Sequence, residues 1–226
     1  MEKKKYIDII SAQADKNHRP HELALNDFLD YLLEFFSVKA FQSGPDTYHQ
    51  HLLECTQKCP EFAGLATLWL TDVATAMEQG KWLDVFGILY EELYLTRGKA
   101  SHTGQFFTPP SVADIMSRIS SLNEKQSGIV NDCASGSGRL LLAHYMAKSS
   151  LNHSAGRRFR YIAQDVDPIV CKMCALNLMA HGMNANVICQ DTLTMSTPSV
   201  MYCVNEVKYP FNTPFYSVRA VRPVRM

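Results

Sequence analysis

Asp132-Cys133-Ala134-Ser135-Gly136-Ser137-Gly138 places one carboxylate and two glycines between an apolar run, Gly128-Ile129-Val130-Asn131, and a helical run opened by Arg139-Leu140-Leu141-Leu142. Glycines at 136 and 138 let a turn tighten and let its backbone approach a ligand with no Cβ in the way. Asp132, at the strand end, is placed to accept a hydrogen bond from a cationic or donor group. The turn is not a nucleoside-triphosphate loop, since no Gly-Lys-Ser/Thr closes it. It also lacks the third glycine of a dinucleotide fingerprint, and Asp132 would repel a pyrophosphate, which argues against a nicotinamide oxidoreductase. Two further apolar runs end in the same way: 159–164 runs into Asp165 and 187–190 into Asp191. A carboxylate at such a strand end is suited to ribose hydroxyls, and Asp191 to the exocyclic amine of an adenine. Taken singly, each aspartate is equally a turn residue or a helix cap. Three in succession describe a pocket for an adenosine that bears no phosphate, with Asp132 near a charged amino-acid end.

The elements that position these residues follow from periodicity. Short apolar runs at 128–132, 158–164 and 184–189 alternate with helical runs at 139–148 and 168–181. That alternation predicts a parallel sheet with crossover helices, whose ligands sit at the carboxyl ends of the strands. Upstream, helical spacing of apolar residues covers 21–41, 61–79 and 82–95, so the first hundred residues are expected to be helical, with their aromatic side chains packed between helices or forming a partner surface. The expected division is a helical region, 1–100, and a partial α/β domain, 101–226.

With 46% hydrophobic and 19% charged residues, the 226-residue chain has enough apolar material for a substantial core. Twenty-two basic and 22 acidic side chains cancel, so no global charge favours nucleic acid or an anionic membrane. The distribution is uneven: 12 basic and 17 acidic residues lie in 1–130, against 10 and 5 in 131–226. A basic C-terminal half suits phosphates, or equally the docking of two oppositely charged halves. Asp8 and the polar run 11–20 interrupt any signal-peptide core, and no run is apolar enough to span a membrane. Seven cysteines are read as reduced, buried thiols of a cytoplasmic protein, with zinc or redox chemistry at Cys55/Cys59 and Cys171/Cys174 as the other reading. The tail spaces Arg219, Arg222 and Arg225 among valines, as a solvated terminus or a grip on phosphates or another chain.

With Gly104-Gln105-Phe106-Phe107-Thr108-Pro109-Pro110 ahead of the sheet, the chain resembles the N-6 adenine DNA methyltransferases, in particular the methylation subunit of type I restriction-modification systems. In that family this segment lines the S-adenosylmethionine pocket, which implies Phe107, Thr108 and Pro109 as cofactor contacts; physically it also reads as a helix start, with Thr108 as cap. Asp132 to Gly138 is similar to the family's loop around the methionine moiety, implying Asp132, Ala134, Gly136, Ser137 and Gly138. Ala163-Gln164-Asp165-Val166-Asp167-Pro168 implies Asp165 as the ribose ligand, with Asp167 in reserve. Gln190-Asp191-Thr192-Leu193 implies Asp191 at the cofactor adenine. The specific likeness covers about 104–193, and the implied fold is a partial Rossmann-like S-adenosylmethionine-dependent methyltransferase sheet preceded by helices.

The family's catalytic signature is Asn/Asp-Pro-Pro-Tyr/Phe, whose polar groups hold the target amine and whose aromatic ring stacks on a flipped base. The nearest match is Asn212-Thr213-Pro214-Phe215, with threonine for the first proline, implying Asn212, Pro214 and Phe215 as catalytic. The resemblance thus implies transfer of the S-adenosylmethionine methyl group to adenine in DNA, with a specificity subunit or a second copy of the chain as further partners. A methyltransferase-like module that binds the cofactor or modulates a restriction-modification system without transferring is the competing reading, favoured by the altered signature and the short stretch after Asp191.

Overall fold

The computed structural model describes residues 1–38, 45–94, 107–121, 127–151, 156–206 and 216–223. Three strands, β1 (Gly128–Asp132), β2 (Phe159–Asp165) and β3 (Ala185–Cys189), lie parallel in the order β1-β2-β3. Their carboxyl ends therefore meet at one edge, where Asp132, Asp165 and the residues after Cys189 gather. Crossover helices α7 (Arg139–Leu151) and α8 (Pro168–Ala180) make the two parallel connections. Asp167 starts α8 by accepting from the Ile169 and Val170 amides, and Pro168 follows at the position where a missing N–H costs nothing.

Beyond β3 the sheet departs from a parallel design. β4 (Val200–Val204) and β5 (Val218–Val221) join in antiparallel pairing, giving the order β1-β2-β3-β4-β5. The residues between Cys189 and Val200 are too few for a crossover, which needs a dozen or more, so the chain turns back along β3. The Ser199 amide donates to the Cys189 carbonyl at 2.9 Å and closes this turn. The expectation of a solvated tail is corrected at the tail's start, where Val218 is buried within β5 and Arg219 is paired with Glu206 at 2.6 Å; Arg222 is exposed, and Arg225 lies outside the described residues. Val218 to Val221 are strand residues, and β4 is the partner with which they pair.

Strand register sorts the two faces. Tyr161, Ala163, Ala185, Val187, Cys189, Tyr202, Val204 and Val218 share one face and are buried, with α8 packed against it. Ile129, Asn131, Arg160, Ile162, Gln164, Asn186 and Ile188 share the other, and none of these is fully buried.

The N-terminal residues fold as α1 (Lys3–Lys16), α2 (His21–Phe35), α3 (Pro45–Lys58), α4 (Pro60–Glu78) and α5 (Val85–Tyr90), the last extended by one wide turn at 91–94. A further helix, α6 (Pro110–Ser121), precedes the sheet and packs on α7. Phe28, Phe62, Trp69 and Phe86 pack ring against ring at the centre of the helical layer. Helix α2 also packs on α8, so the buried side chains from Tyr6 to Val218 form a continuous cluster. No described helix is long and apolar enough to cross a membrane.

His181, fully buried at the end of α8, ties this layer to the sheet. The Leu83 amide donates to its Nε2 at 3.2 Å, so the ring proton sits on Nδ1, which donates to the Asn177 carbonyl at 2.7 Å. Burial pushes its pKa down to about 4, against the opposing pull of the Asn177 carbonyl and the Asp84 charge. The unfolded chain therefore binds a proton below about pH 6.5 that the folded chain refuses until about pH 4. Stability is expected to fall by about 3 kcal/mol through that window as pH drops. Denaturant titrations of wild type and His181→Asn should show this slope reduced in the variant; equal slopes would contradict the assignment.

Candidate cofactor-binding site

The loop 132–138 is shaped by two left-handed glycines and by what lies behind them. Gly136 has φ +53° and Gly138 φ +94°. A Cβ on Gly136 would sit 3.1 Å from the Phe107 ring, and one on Gly138 would sit 3.1 Å from Cys174 Sγ. Both positions thus require glycine for conformation and for close approach. The Ser135 amide donates to the Gln164 carbonyl at 2.9 Å, and the Gly136 amide donates to Asp165 Oδ2 at 3.0 Å. These bonds fasten the loop to the end of β2.

Asp132 heads the loop. Its Oδ1 accepts from the Ala134 amide at 3.2 Å, while Oδ2 is buried with no partner among the described residues. Burial, with the neighbouring Asp165 charge, raises its pKa against the lowering effect of the Ala134 amide. A buried carboxylate oxygen without a donor is costly and calls for a donor, preferably a cation, from outside the chain.

Asp165 accepts at both oxygens, from Gly136 through Oδ2 and from the Asp167 amide through Oδ1, each at 3.0 Å. Each oxygen keeps a second lone pair for a hydroxyl. Asp167, by contrast, is turned toward α8 as its cap. Asp191 uses Oδ1 to accept from Leu193 and Thr194, and those amides, Thr194 foremost, hold its pKa below the ordinary value. It is a turn-forming carboxylate. Thr192 beside it donates to the Cys133 carbonyl at 3.1 Å, which staples the turn after β3 to the glycine loop.

Phe107 forms the facing wall. Its ring meets Tyr90 edge-on at 5.5 Å, and the Arg139 guanidinium lies 5.2 Å from its centroid. Helix α6 begins at Pro110, with the Pro109 carbonyl accepting from Val112 and Ala113, so the start lies after Pro109 rather than at Thr108. The Thr108 carbonyl accepts from Arg139 Nη1 at 3.2 Å. The structure thus brings Phe107, Thr108, Pro109, Asp132, Ala134, Gly136, Ser137, Gly138, Asp165 and Asp191 to the carboxyl end of the parallel strands and the segment facing it. Asn212, Pro214 and Phe215 lie outside the described residues. Asn205 and Ser217, on either side of them, are hydrogen-bonded to each other at the opposite end of the sheet from the loop.

Two residues behind the loop, Asp84 and Arg139, have no motif of their own, and Thr192 enters the sequence motif only as a neighbour of Asp191. Asp84 caps α5, Arg139 opens α7, and Thr192 forms the staple; the signal for Asp84 was a carboxylate directly before an apolar helix, with Gly87 three places on. Cys171 and Cys174 lie inside α8, where burial above all pushes both up; Cys133 is exposed within the loop, and the seven cysteines are all free. Among the described residues no group of His, Cys, Asp or Glu is arranged to hold a metal.

A glycine loop between a parallel strand and a helix, with carboxylates ending β1 and β2, is the arrangement of a Rossmann-like α/β sheet. Residues 81–219 match the N-6 DNA methylase family, and the chain belongs to that family. It is 29% identical over 145 residues to the type I restriction enzyme MpnII methylase subunit of Mycoplasma pneumoniae, a match covering 60% of this chain and 26% of that protein. A crystal structure of the type I restriction-modification methyltransferase subunit from Streptococcus thermophilus aligns at a TM-score of 0.43 and 22% identity, covering 79% of this chain and 35% of that one. The chain therefore spans about a quarter to a third of the length of these two relatives.

Proposed function

We propose that this chain binds S-adenosylmethionine at the 132–138 loop and serves methyl transfer to the N6 amine of adenine in DNA, as part of a restriction-modification methylase. The observation that carries the cofactor assignment is Asp132 Oδ2, buried at the head of the loop without a donor, in a member of the N-6 DNA methylase family. Nothing at Asp132 accommodates a phosphate, whereas the ammonium of an amino-acid end supplies the missing donor and cancels the buried charge. When bound, S-adenosylmethionine supplies an electrophilic methyl group on its sulfonium.

The chain's own residues then bind and orient. Asp132 takes the ammonium, and Gly136 and Gly138 leave the backbone bare along the amino-acid chain. Asp165 offers its remaining lone pairs to the ribose, Asp191 and the stapled turn flank the adenine, and Phe107 closes the opposite wall. By resemblance alone, Asn212 and the Pro214 carbonyl would hold the target amine and Phe215 would stack on the flipped base. Such a reaction needs no strong base, because aligning the amine lone pair with the methyl group is mainly proximity and orientation. A specificity subunit, or a second copy of the chain, completes recognition of the DNA, and seven free thiols suit a cytoplasmic setting.

The second reading, a module that holds the cofactor without transferring on its own, is favoured by Asn205 and Ser217 lying at the far end of the sheet. The two separate in one assay. Adenine-containing duplex DNA is incubated with methyl-labelled S-adenosylmethionine, and N6-methyladenine is quantified after digestion. Transfer is expected for wild type and a loss of about 100-fold or more for Asn212→Ala. Equal product from the variant overturns the catalytic assignment, and cofactor binding without product supports the second reading.

A further inference from the structure

The geometry points to Asp84 and Arg139 as positioning residues of the cofactor pocket, which hold its two walls in register from behind without touching the cofactor; this rests on the S-adenosylmethionine reading above.

Asp84 is 2% exposed and surrounded by four donors. Its Oδ2 accepts from Ser137 Oγ and from Arg139 Nε, each at 2.6 Å, and its Oδ1 accepts from the Gly87 amide and Asn177 Nδ2, each at 2.7 Å. The carboxylate thereby joins α5, the glycine loop, α7 and α8 at one point. Gly87 makes room for it, since a Cβ there would stand 2.0 Å from Asp84 Oδ2. Ser137 is 1% exposed and its hydroxyl is committed to this bond, so the hydroxyl faces the protein rather than a ligand.

Arg139 does the same for the opposite wall. It is 4% exposed and occupies the first position of α7, where the helix dipole disfavours a cation. A buried guanidinium there requires compensation, and it has it: Asp84 at Nε, Glu91 at Nη1 at 2.8 Å, and the Thr108 carbonyl at the same nitrogen. Its cationic face also lies against the Phe107 ring. One fork thus links the Phe107–Pro109 segment to the carboxylate that holds Ser137. Lysine would keep the charge and lose the fork.

The test uses titration calorimetry with S-adenosylmethionine on wild type, Ser137→Ala, Arg139→Lys, Asp84→Asn and the double variant Asp84→Asn/Ser137→Ala, each first shown to unfold cooperatively. Ser137→Ala and Arg139→Lys are expected to weaken binding by about tenfold or more. Adding Asp84→Asn to Ser137→Ala should cost clearly less than Asp84→Asn costs alone, because Asp84 acts on the loop through that hydroxyl. A purely structural role predicts lower unfolding stability with S-adenosylmethionine affinity unchanged in Ser137→Ala and Arg139→Lys. Hydrogen exchange of the unliganded protein reads the same claim without cofactor: both single variants should raise exchange in peptides covering the loop 132–138 and the start of α6, relative to α1. Wild-type affinity and wild-type loop protection in Ser137→Ala and Arg139→Lys would overturn the proposal, whereas loss of binding by wild type with the exchange pattern intact would fault only the cofactor reading.

Discussion

Trp69→Ala is expected to lower the unfolding free energy by about 3–5 kcal/mol. Trp69 is fully buried in the middle of α4, with its ring 5.0 Å from Phe86 and 6.2 Å from Phe36. Removing it leaves a cavity between helices that cannot close without moving α5. The indole Nε1 is buried without a partner among the described residues, a cost that the substitution removes, which places the loss toward the lower end of the range. The damage should not stay local. Phe86 lies two residues after Asp84, so slack around Phe86 loosens the carboxylate that grips Ser137. Chemical denaturation of wild type, Trp69→Ala and Trp69→Phe checks this: the phenylalanine variant should retain most of the stability, and an alanine variant within about 1 kcal/mol of wild type would show that the aromatic cluster does not carry the helical layer.

The second large effect is one of opposite signs in the same variant. Asp132→Asn is expected to weaken S-adenosylmethionine binding by about 10- to 100-fold, the loss of a charge-assisted hydrogen bond to the ammonium, while leaving the unliganded protein as stable as wild type or more so. The stability arm follows from the raised pKa of Asp132. A carboxyl whose folded pKa lies above its unfolded value binds its proton more tightly when folded, so stability rises as pH falls into that window and is reduced above it. Burial and the neighbouring Asp165 charge thus disfavour the ionised form on folding, and asparagine removes the group that ionises. Thermal unfolding with and without ligand reads both arms; a variant that is less stable and binds normally would mean that Asp132 is a structural carboxylate and not a ligand group.

How much of this was legible in the residues follows from local physics. The strand–turn–helix around Asp132 to Gly138 was legible because glycine at two left-handed positions has few substitutes, and the end of β2 at Asp165 because an apolar run stopped there; β3 stops at Cys189, two residues before Asp191. The roles were less legible than the places. Asp191 and Asp167 spend oxygens on backbone amides of their own turns, the ambiguity that any strand-end aspartate carries. Helix α1 was hidden by its many polar residues: Tyr6, Ile10, Gln13 and Ala14 are its buried face, and too few of them are strongly apolar to announce it. The β4–β5 pair was hidden for a different reason. Val204 to Pro210 looks like a broken strand, but β4 lies just upstream and ends at Val204, where Asn205 takes φ +53° and donates to the Met179 and Met183 carbonyls. Its antiparallel direction depends on the length of the preceding connection, a property of the chain path rather than of any residue. The Asp84–Arg139 pair was out of reach because its residues lie 55 positions apart and meet only when α5 docks against the glycine loop.

The most direct test of the account is calorimetric titration of the wild-type protein with S-adenosylmethionine. Saturable binding of one molecule per chain is expected, abolished or strongly weakened by Asp132→Asn. A wild-type protein that unfolds cooperatively, and so is folded, yet shows no saturable binding would contradict it.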